Sequence, residues 1–299
     1  MSLPRPVLPG ETVLMTRRCT QRQLLLRPSP RVNQVLRFCL AAAAERYGVE
    51  VHAFCFLSNH CHVVLTDVRG NRPAFYRWFF EFTAKCLNAL YGRWENLWAT
   101  EAPSDVKLPD GEAQLAKLVY TLTNPVTAGL VARSRMWPGV HSCALDPGQP
   151  LRVERPVGFF RAEGPVPPSA TLELKPLPAW AHLPREDYRA LLNGAIVERE
   201  AALATERAAA GRAVLGPRRV LAQSPFDTPA THAPRRQLSP RVASTNKWAR
   251  IEALQRLKAF LEHYRRALAA FRSGVRDVVF PPGTYAIRLH AGVCCAAPS

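Results

Sequence analysis

Hydrophobic and polar positions along the first half of the chain change period several times, and each change marks an element. A short β-branched and apolar run over residues 12–16 predicts a strand. Residues 31–47 contain no Gly or Pro, are rich in Ala and Leu, and stop at Gly48, as a helix with a glycine C-terminal signal does. Two further apolar runs, 49–56 and 61–66, predict strands. An aromatic-rich helix follows over 73–91, ending at Gly92, then a short strand over 104–108. Asp110 is placed to cap a helix over 111–123, which Pro125 is expected to terminate. The order strand, helix, strand, strand, helix, strand, helix is the split βαβ or ferredoxin-like arrangement with one added helix. The class is therefore α+β. The economical architecture is one antiparallel sheet with helices on one face.

The pattern changes after residue 150. Seven prolines fall within 151–184, which reads as a linker or an irregular packed strap. Residues 185–212 predict a helix, and 216–244, with Pro217, Pro225, Pro229, Pro234 and Pro240, predict no regular element. Thr245 or Asn246 then caps an amphipathic helix to about Ser273, with Trp248, Ile251, Leu254, Leu257, Leu261, Tyr264, Leu268 and Phe271 at helical spacing. The expected organisation is a catalytic domain over 1–150, a Pro-rich linker over 151–184, and a mainly helical, basic region over 185–299.

Composition adds a partner class. The 299 residues carry 40 Lys and Arg against 23 Asp and Glu, a net charge of +17. Thirteen basic and only four acidic residues lie in 217–277, so the excess is concentrated. A concentrated basic excess points to a polyanion, nucleic acid first and an acidic membrane surface second. No apolar run is long enough to span a membrane, and the N-terminus lacks an apolar signal core, so a cytoplasmic, nucleoid-associated location is expected. The eight cysteines include no C-x-x-C pair and read as reduced thiols.

The densest chemistry is in the stretch Phe54-Cys55-Phe56-Leu57-Ser58-Asn59-His60-Cys61-His62. Side chains alternate along a strand, so His60 and His62 share a face about 7 Å apart. Two imidazoles at that spacing can share a divalent cation. A solvated histidine pair has the same spacing. Cys61 alternates to the other face, which argues against a regulatory metal site built from all three residues. In the helix ending at Pro125, Leu115, Leu118, Val119 and Leu122 form the apolar stripe. Tyr120 falls roughly 150° from its centre. Lys117 and Asn124 flank Tyr120 at i−3 and i+4. A surface Tyr in a second packing contact is the plainer account. If the faces meet, a His-bound Mg²⁺ or Mn²⁺ would polarise a phosphodiester and Tyr120 would attack phosphorus. Asn124 is the candidate third ligand through its carbonyl oxygen.

Together these motifs resemble a known family. Val51-His52-Ala53-Phe54-Cys55, Asn59-His60-Cys61-His62, and Tyr120 followed by Asn124-Pro125-Val126 and Ala128-Gly129-Leu130-Val131 are similar to the single-tyrosine HUH transposases, closest to the REP-associated tyrosine transposases. Thr16-Arg17-Arg18-Cys19-Thr20-Gln21-Arg22 also resembles their N-terminal strand and turn, and the match spans roughly residues 10–142. Leu57 and Ser58 stand where family members commonly carry Met-Pro, and Cys61 where a larger apolar residue is usual. The resemblance implies a ferredoxin-like core, His60 and His62 as metal ligands, and Tyr120 as nucleophile. It implies cleavage and rejoining of single-stranded DNA, often hairpin-guided, without a nucleotide cofactor. Family members include dimers and monomers, so both states remain open. A DNA-binding protein that keeps the fold without turnover is the alternative function.

Other residues carry weaker expectations. Arg17, Arg18 and Arg22 are candidate phosphate contacts, as are Lys117 and, at the start of the C-terminal helix, Lys247 and Arg250. Tyr76, Trp78, Phe79, Phe80 and Phe82 read as core, and His52 as structural. Trp94 and Trp98, at i and i+4, are expected to pack together, and Cys294 and Cys295 to lie in a loose tail.

Overall fold

A computed structural model describes residues 4–231 and 240–297. The first three residues and Pro234 of the second proline-rich run lie outside these. The sheet contains β1 (Glu11–Arg18), β2 (Val49–Phe56), β3 (His60–Asp67) and β4 (Ser104–Lys107), ordered β2-β3-β1-β4 with every neighbouring pair antiparallel. With α1 (Pro30–Tyr47) and α2 (Arg72–Tyr91) between strands, this is the ferredoxin-like order expected from the sequence. Ser29 caps α1 by accepting from Val32 N at 3.2 Å, and Gly48 and Gly92 end α1 and α2 in the left-handed conformation.

The helices do not all lie on one face. Val13, Met15, Cys61, Val63 and Leu65 form the main core with α1 and α2. Leu14, Ala53, Val64 and Val106 point the other way, to a second core with Leu118 and Leu122 of α3 (Gly111–Thr127) and Tyr188, Leu192 and Ile196 of α4 (Arg185–Ala209). The expectation of a one-sided sheet fails because both strand faces are apolar, and an apolar face must be covered.

A bulge sets which residues of β2 face where. The register passes from Val51↔Leu65 to Ala53↔Val64, leaving His52 as the extra residue. Val51, Phe54 and Phe56 thereby share the main core. His52 is fully engaged, with Nδ1 at 2.9 Å from Lys175 O and Nε2 at 2.8 Å from Thr66 Oγ1, so it is structural.

Three further corrections concern α3 and the C-terminal half. Pro125 does not end α3, which runs to Thr127 with Ala128 as cap. The proline removes one backbone donor. Nearby, His141 Nε2 donates to Leu122 O at 2.8 Å, and the Thr121 and Thr123 hydroxyls bond the carbonyls of Lys117 and Val119. The proline-rich stretch read as a linker or irregular strap contains all but the first residue of a regular hairpin, β5 (Pro150–Glu154) with β6 (Ser169–Glu173). Its Val153, Ala170 and Leu172 are buried in the main core. Residues 216–244 include a short helix, α5 (Pro217–Ala222).

The C-terminal helix α6 (Lys247–Arg272) starts at its Asn246 cap as expected, but none of the apolar stripe expected to dock it is buried; Phe260 and Ala267, beside that stripe, are buried instead, and Trp248 is 75% exposed. Its second half packs with Phe280, Val293 and Cys295 in a small separate core next to α7 (Ala286–Ala291). Phe280 bridges Cys295, so these residues are not a loose tail. Trp94 is 97% exposed while Trp98 is buried against Phe80, so the two indoles do not pack together. Later residues also line both sheet edges: Lys107 of β4 exchanges backbone bonds with Arg241 and Ala243, and Val51 O of β2 accepts from Lys175 N. No described helix is long and apolar enough to cross a membrane.

Candidate active site

The histidine pair sits where β3 begins. The turn from β2 closes with Leu57 N donating to His60 O at 2.9 Å. In the β1–β3 ladder Arg18 pairs with His60, Arg17 with Cys61 and Thr16 with His62. Directly paired residues share a face. His60, His62, Arg18 and Thr16 therefore face α3, and Cys61 and Arg17 face α2. Burial pushes the Cys61 thiol up to about 12, and with its opposite orientation this removes it as a metal ligand beside the histidines.

The two imidazoles lie 4.9 Å apart between ring centroids, nearly perpendicular. Each is held by its Nδ1. His60 Nδ1 is 2.7 Å from Asn59 Oδ1, and Asn59 Nδ2 donates to Arg22 O at 3.3 Å. The amide therefore presents its oxygen to His60, so Nδ1 donates and Nε2 keeps a lone pair. His62 Nδ1 lies 2.9 Å from Thr16 Oγ1. Its Nε2 is buried with no partner among the described residues. Burial, then Arg18 and Arg22, pull His60 down to about 4. Burial, then His60 and Lys117, pull His62 well below its ordinary value. Both rings are neutral at pH 7. Neutral imidazoles oriented through one nitrogen, one with its other nitrogen unsatisfied, fit a divalent cation. Among the described residues no group of three His, Cys, Asp or Glu surrounds such a position, so a third protein donor must be of another type.

Helix α3 brings the nucleophile candidate to the same place. Asp110 caps it, its Oδ1 accepting from Ala113 N at 2.8 Å. With Leu118 and Leu122 locked into the sheet, Tyr120 is left 40% exposed. Its ring centroid is 5.4 Å from that of His62, edge to face. Lys117 Nζ lies 5.4 Å from the Tyr120 ring centroid. Asn124 is 6% exposed and, because α3 continues through Pro125, lies one helical turn beyond Tyr120 on the same side.

The basic residues divide. Arg18 lies opposite His60, and Arg22, in the turn after β1, reaches Thr231. Arg17 does not join them. Its guanidinium stacks 4.6 Å from the Phe80 centroid and 5.7 Å from that of Trp98 on the other face, because alternation along β1 separates it from Arg18. Lys247 and Arg250 open α6, whose approach is tied to the start of α3 by Ser244 to Asp110 and Thr245 to Glu112. The start of α3 is about 14 Å along the helix from Tyr120. The positions of Thr16 and Thr231 were not signalled by any sequence motif, since both depend on pairing across distant segments.

No protein-family model matches the chain, and no curated protein sequence matches it. Among solved structures it is similar to a REP-associated tyrosine transposase bound to a REP hairpin. The identity is 19%, covering 49% of this chain and 84% of that one, with a TM-score of 0.42. It is also similar to a candidate transposase from Deinococcus radiodurans R1, at 18% identity over 42% of this chain and 97% of that one, TM-score 0.30.

Proposed function

We propose that the protein is a metal-dependent transposase that nicks and rejoins single-stranded DNA through Tyr120, with hairpin-containing repeats as its targets. The observation that supports this most directly is the approach of Tyr120 to His62, one of two neutral imidazoles oriented by Asn59 and Thr16. His60 and His62 would hold Mg²⁺ or Mn²⁺, with Asn124 as the further oxygen donor. The cation, when bound, polarises the scissile phosphate and offsets its developing charge.

The chain's own groups account for the rest. Tyr120 Oη forms a bond to phosphorus as the P–O3′ bond breaks. The phenolic proton passes to solvent and the departing 3′ oxygen takes one up. The phosphate stays on the 5′ side of the downstream strand as a phosphotyrosine ester. Attack by a 3′-hydroxyl reverses the step, so no nucleotide cofactor is needed. Arg18 and Lys117 supply positive charge to either side of the rings. The basic face opened by Lys247 and Arg250 would hold a hairpin stem through phosphate contacts.

A denaturing gel tests this. The full chain is mixed with end-labelled single strands tiling the DNA on both sides of its coding sequence, with Mg²⁺ or Mn²⁺. An adduct retaining the label 3′ of the cut, and lost in Tyr120→Phe and in His60→Ala/His62→Ala, is the expected result. Binding without adduct under either metal would turn the reading to a DNA-binding protein without turnover.

A further inference from the structure

The segment between α4 and α6 touches both halves of the candidate site. Beyond the end of α3, Leu215 N donates to Gly129 O and Gly216 N to Leu130 O, both at 2.9 Å. The segment then follows the turn after β1. Leu221 O accepts from Arg27 Nη1 at 2.6 Å, and Asp227 O accepts from Leu24 N at 2.9 Å. The Phe226 ring packs edge-on against Tyr91 at 5.9 Å. At Thr231 both the carbonyl and the hydroxyl oxygen accept from the Arg22 guanidinium, the hydroxyl at 2.8 Å.

The turn receiving these bonds is strained. Gln21 and Arg22 have φ of 47° and 61°, left-handed values uncommon for residues other than glycine. Cys19 N donates to Asn59 O at 2.8 Å, and Asn59 Nδ2 donates to Arg22 O at 3.3 Å. Asn59 Oδ1 accepts from His60 Nδ1. Hydrogen bonds and one residue's covalent frame thus link Thr231, Arg22, Asn59 and His60.

We propose that Thr231 is a positioning residue, contributed by the C-terminal half, that fixes the Arg22 guanidinium as a phosphate clamp for the DNA strand entering the site. This rests on the single-strand cleavage reading above. A guanidinium has five N–H donors. Two are spent on Thr231, which leaves three, enough for a bidentate phosphate contact. A free arginine would have to lose side-chain freedom on binding DNA; one already pinned loses less. Thr231 is exposed, so its replacement does not open a core.

Fluorescence anisotropy of labelled oligo(dT), titrated with the full chain at several salt concentrations, tests this. Thr231→Ala is expected to weaken binding about threefold, and Thr231→Asp, whose carboxylate would capture the guanidinium, about tenfold. Thr231→Ser should restore wild-type affinity. Arg22→Ala should weaken binding about tenfold, lower the salt slope by about one, and leave nothing further for Thr231→Ala to remove in the double variant. A purely structural role for Thr231 would not show that loss of additivity. Wild-type or tighter binding by Thr231→Ala, or losses that add in the double variant, would overturn the proposal while leaving the cleavage reading intact. A wild-type protein that does not bind oligo(dT) would overturn both.

Discussion

The two ends of the β1–β3 ladder treat charge in opposite ways. At the Glu11–Asp67 end, Arg72 is 1% exposed and meets Glu11 at 2.8 Å, Asp67 at 3.4 Å and Asp105 at 2.9 Å. Burial pulls its guanidinium down, but Asp105 and Glu11 outweigh that and hold it above its ordinary value. Asp67 also accepts from the backbone of Asn71 and Arg72 at the start of α2. At the Arg18–His60 end, Arg18, Arg22 and Lys117 surround two neutral imidazoles. Among the described residues none of the three cations has a carboxylate within 4 Å. A charge cluster that neutralises itself serves the fold. One that leaves its cations without counter-charge is suited to a ligand that supplies it.

Substitutions can break this contrast from either end. The largest effect belongs to Tyr120→Phe, which removes the attacking oxygen. Adduct formation should fall by about a thousandfold or more, while the melting temperature stays unchanged because the ring is partly exposed. At the opposite end, Arg72→Met strands Asp67 and Asp105, Glu11 keeping Lys107, and should cost about 3–5 kcal/mol in urea unfolding. If Arg72→Met instead left stability intact, the claim that this end serves the fold would be wrong.

Acid should act on the scaffold more gradually. Burial holds His52 and His141 at about 4, as it does His60, and His62 lies well below its ordinary value, so the unfolded chain binds protons that the folded chain refuses between pH 6.5 and 4. Stability is full above pH 6.5 and falls as pH drops, by about 1.4 kcal/mol per pH unit for each group. Urea midpoints measured across that window would show it. A flat profile would mean that none of these rings is kept neutral by its surroundings. The smallest effects compare neighbours on β1. Arg18→Ala should weaken oligo(dT) binding severalfold with little change in stability. Arg17→Ala should leave binding alone and cost about 1 kcal/mol of stability through lost stacking on Phe80 and Trp98. Reversed results would place the DNA on the other face.

Much of the fold and of the candidate site was readable in the chain, whereas the Arg72 cluster was not. Strand order, the α1 and α2 boundaries and the shared face of His60 and His62 follow from local period and from Gly48, Gly92 and Asp110. The part that was not readable depends on tertiary partners. Pro125 reads as a helix stop, but Val126 is packed in a core and Ala128 N donates to Asn124 O, so α3 continues past it. Arg17 looks equivalent to Arg18 until alternation is tied to a register. The His52 bulge has no turn residue to announce it, and the β5–β6 hairpin is hidden among prolines because β6 begins only after Pro168. Thr16 becomes a partner of His62 only through the ladder, and Thr231 meets Arg22 across 209 positions.

The closure of the sheet by later residues has a consequence for solubility. An open strand edge carries unpaired amides that recruit strands from other molecules. Here Arg241 and Ala243 engage β4, while β2 is covered by Val140 and Ser142 as well as Lys175, so the guard on β4 is encoded well after the residues that form the sheet. A chain ending at residue 150 would keep the catalytic groups and the Val140–Ser142 cover on β2, and would lose the guard on β4 entirely. It is expected to self-associate at concentrations where the full chain scatters no light. The same exposure arises during synthesis, before the C-terminal half has emerged, which makes that interval the one when the protein is most prone to aggregate.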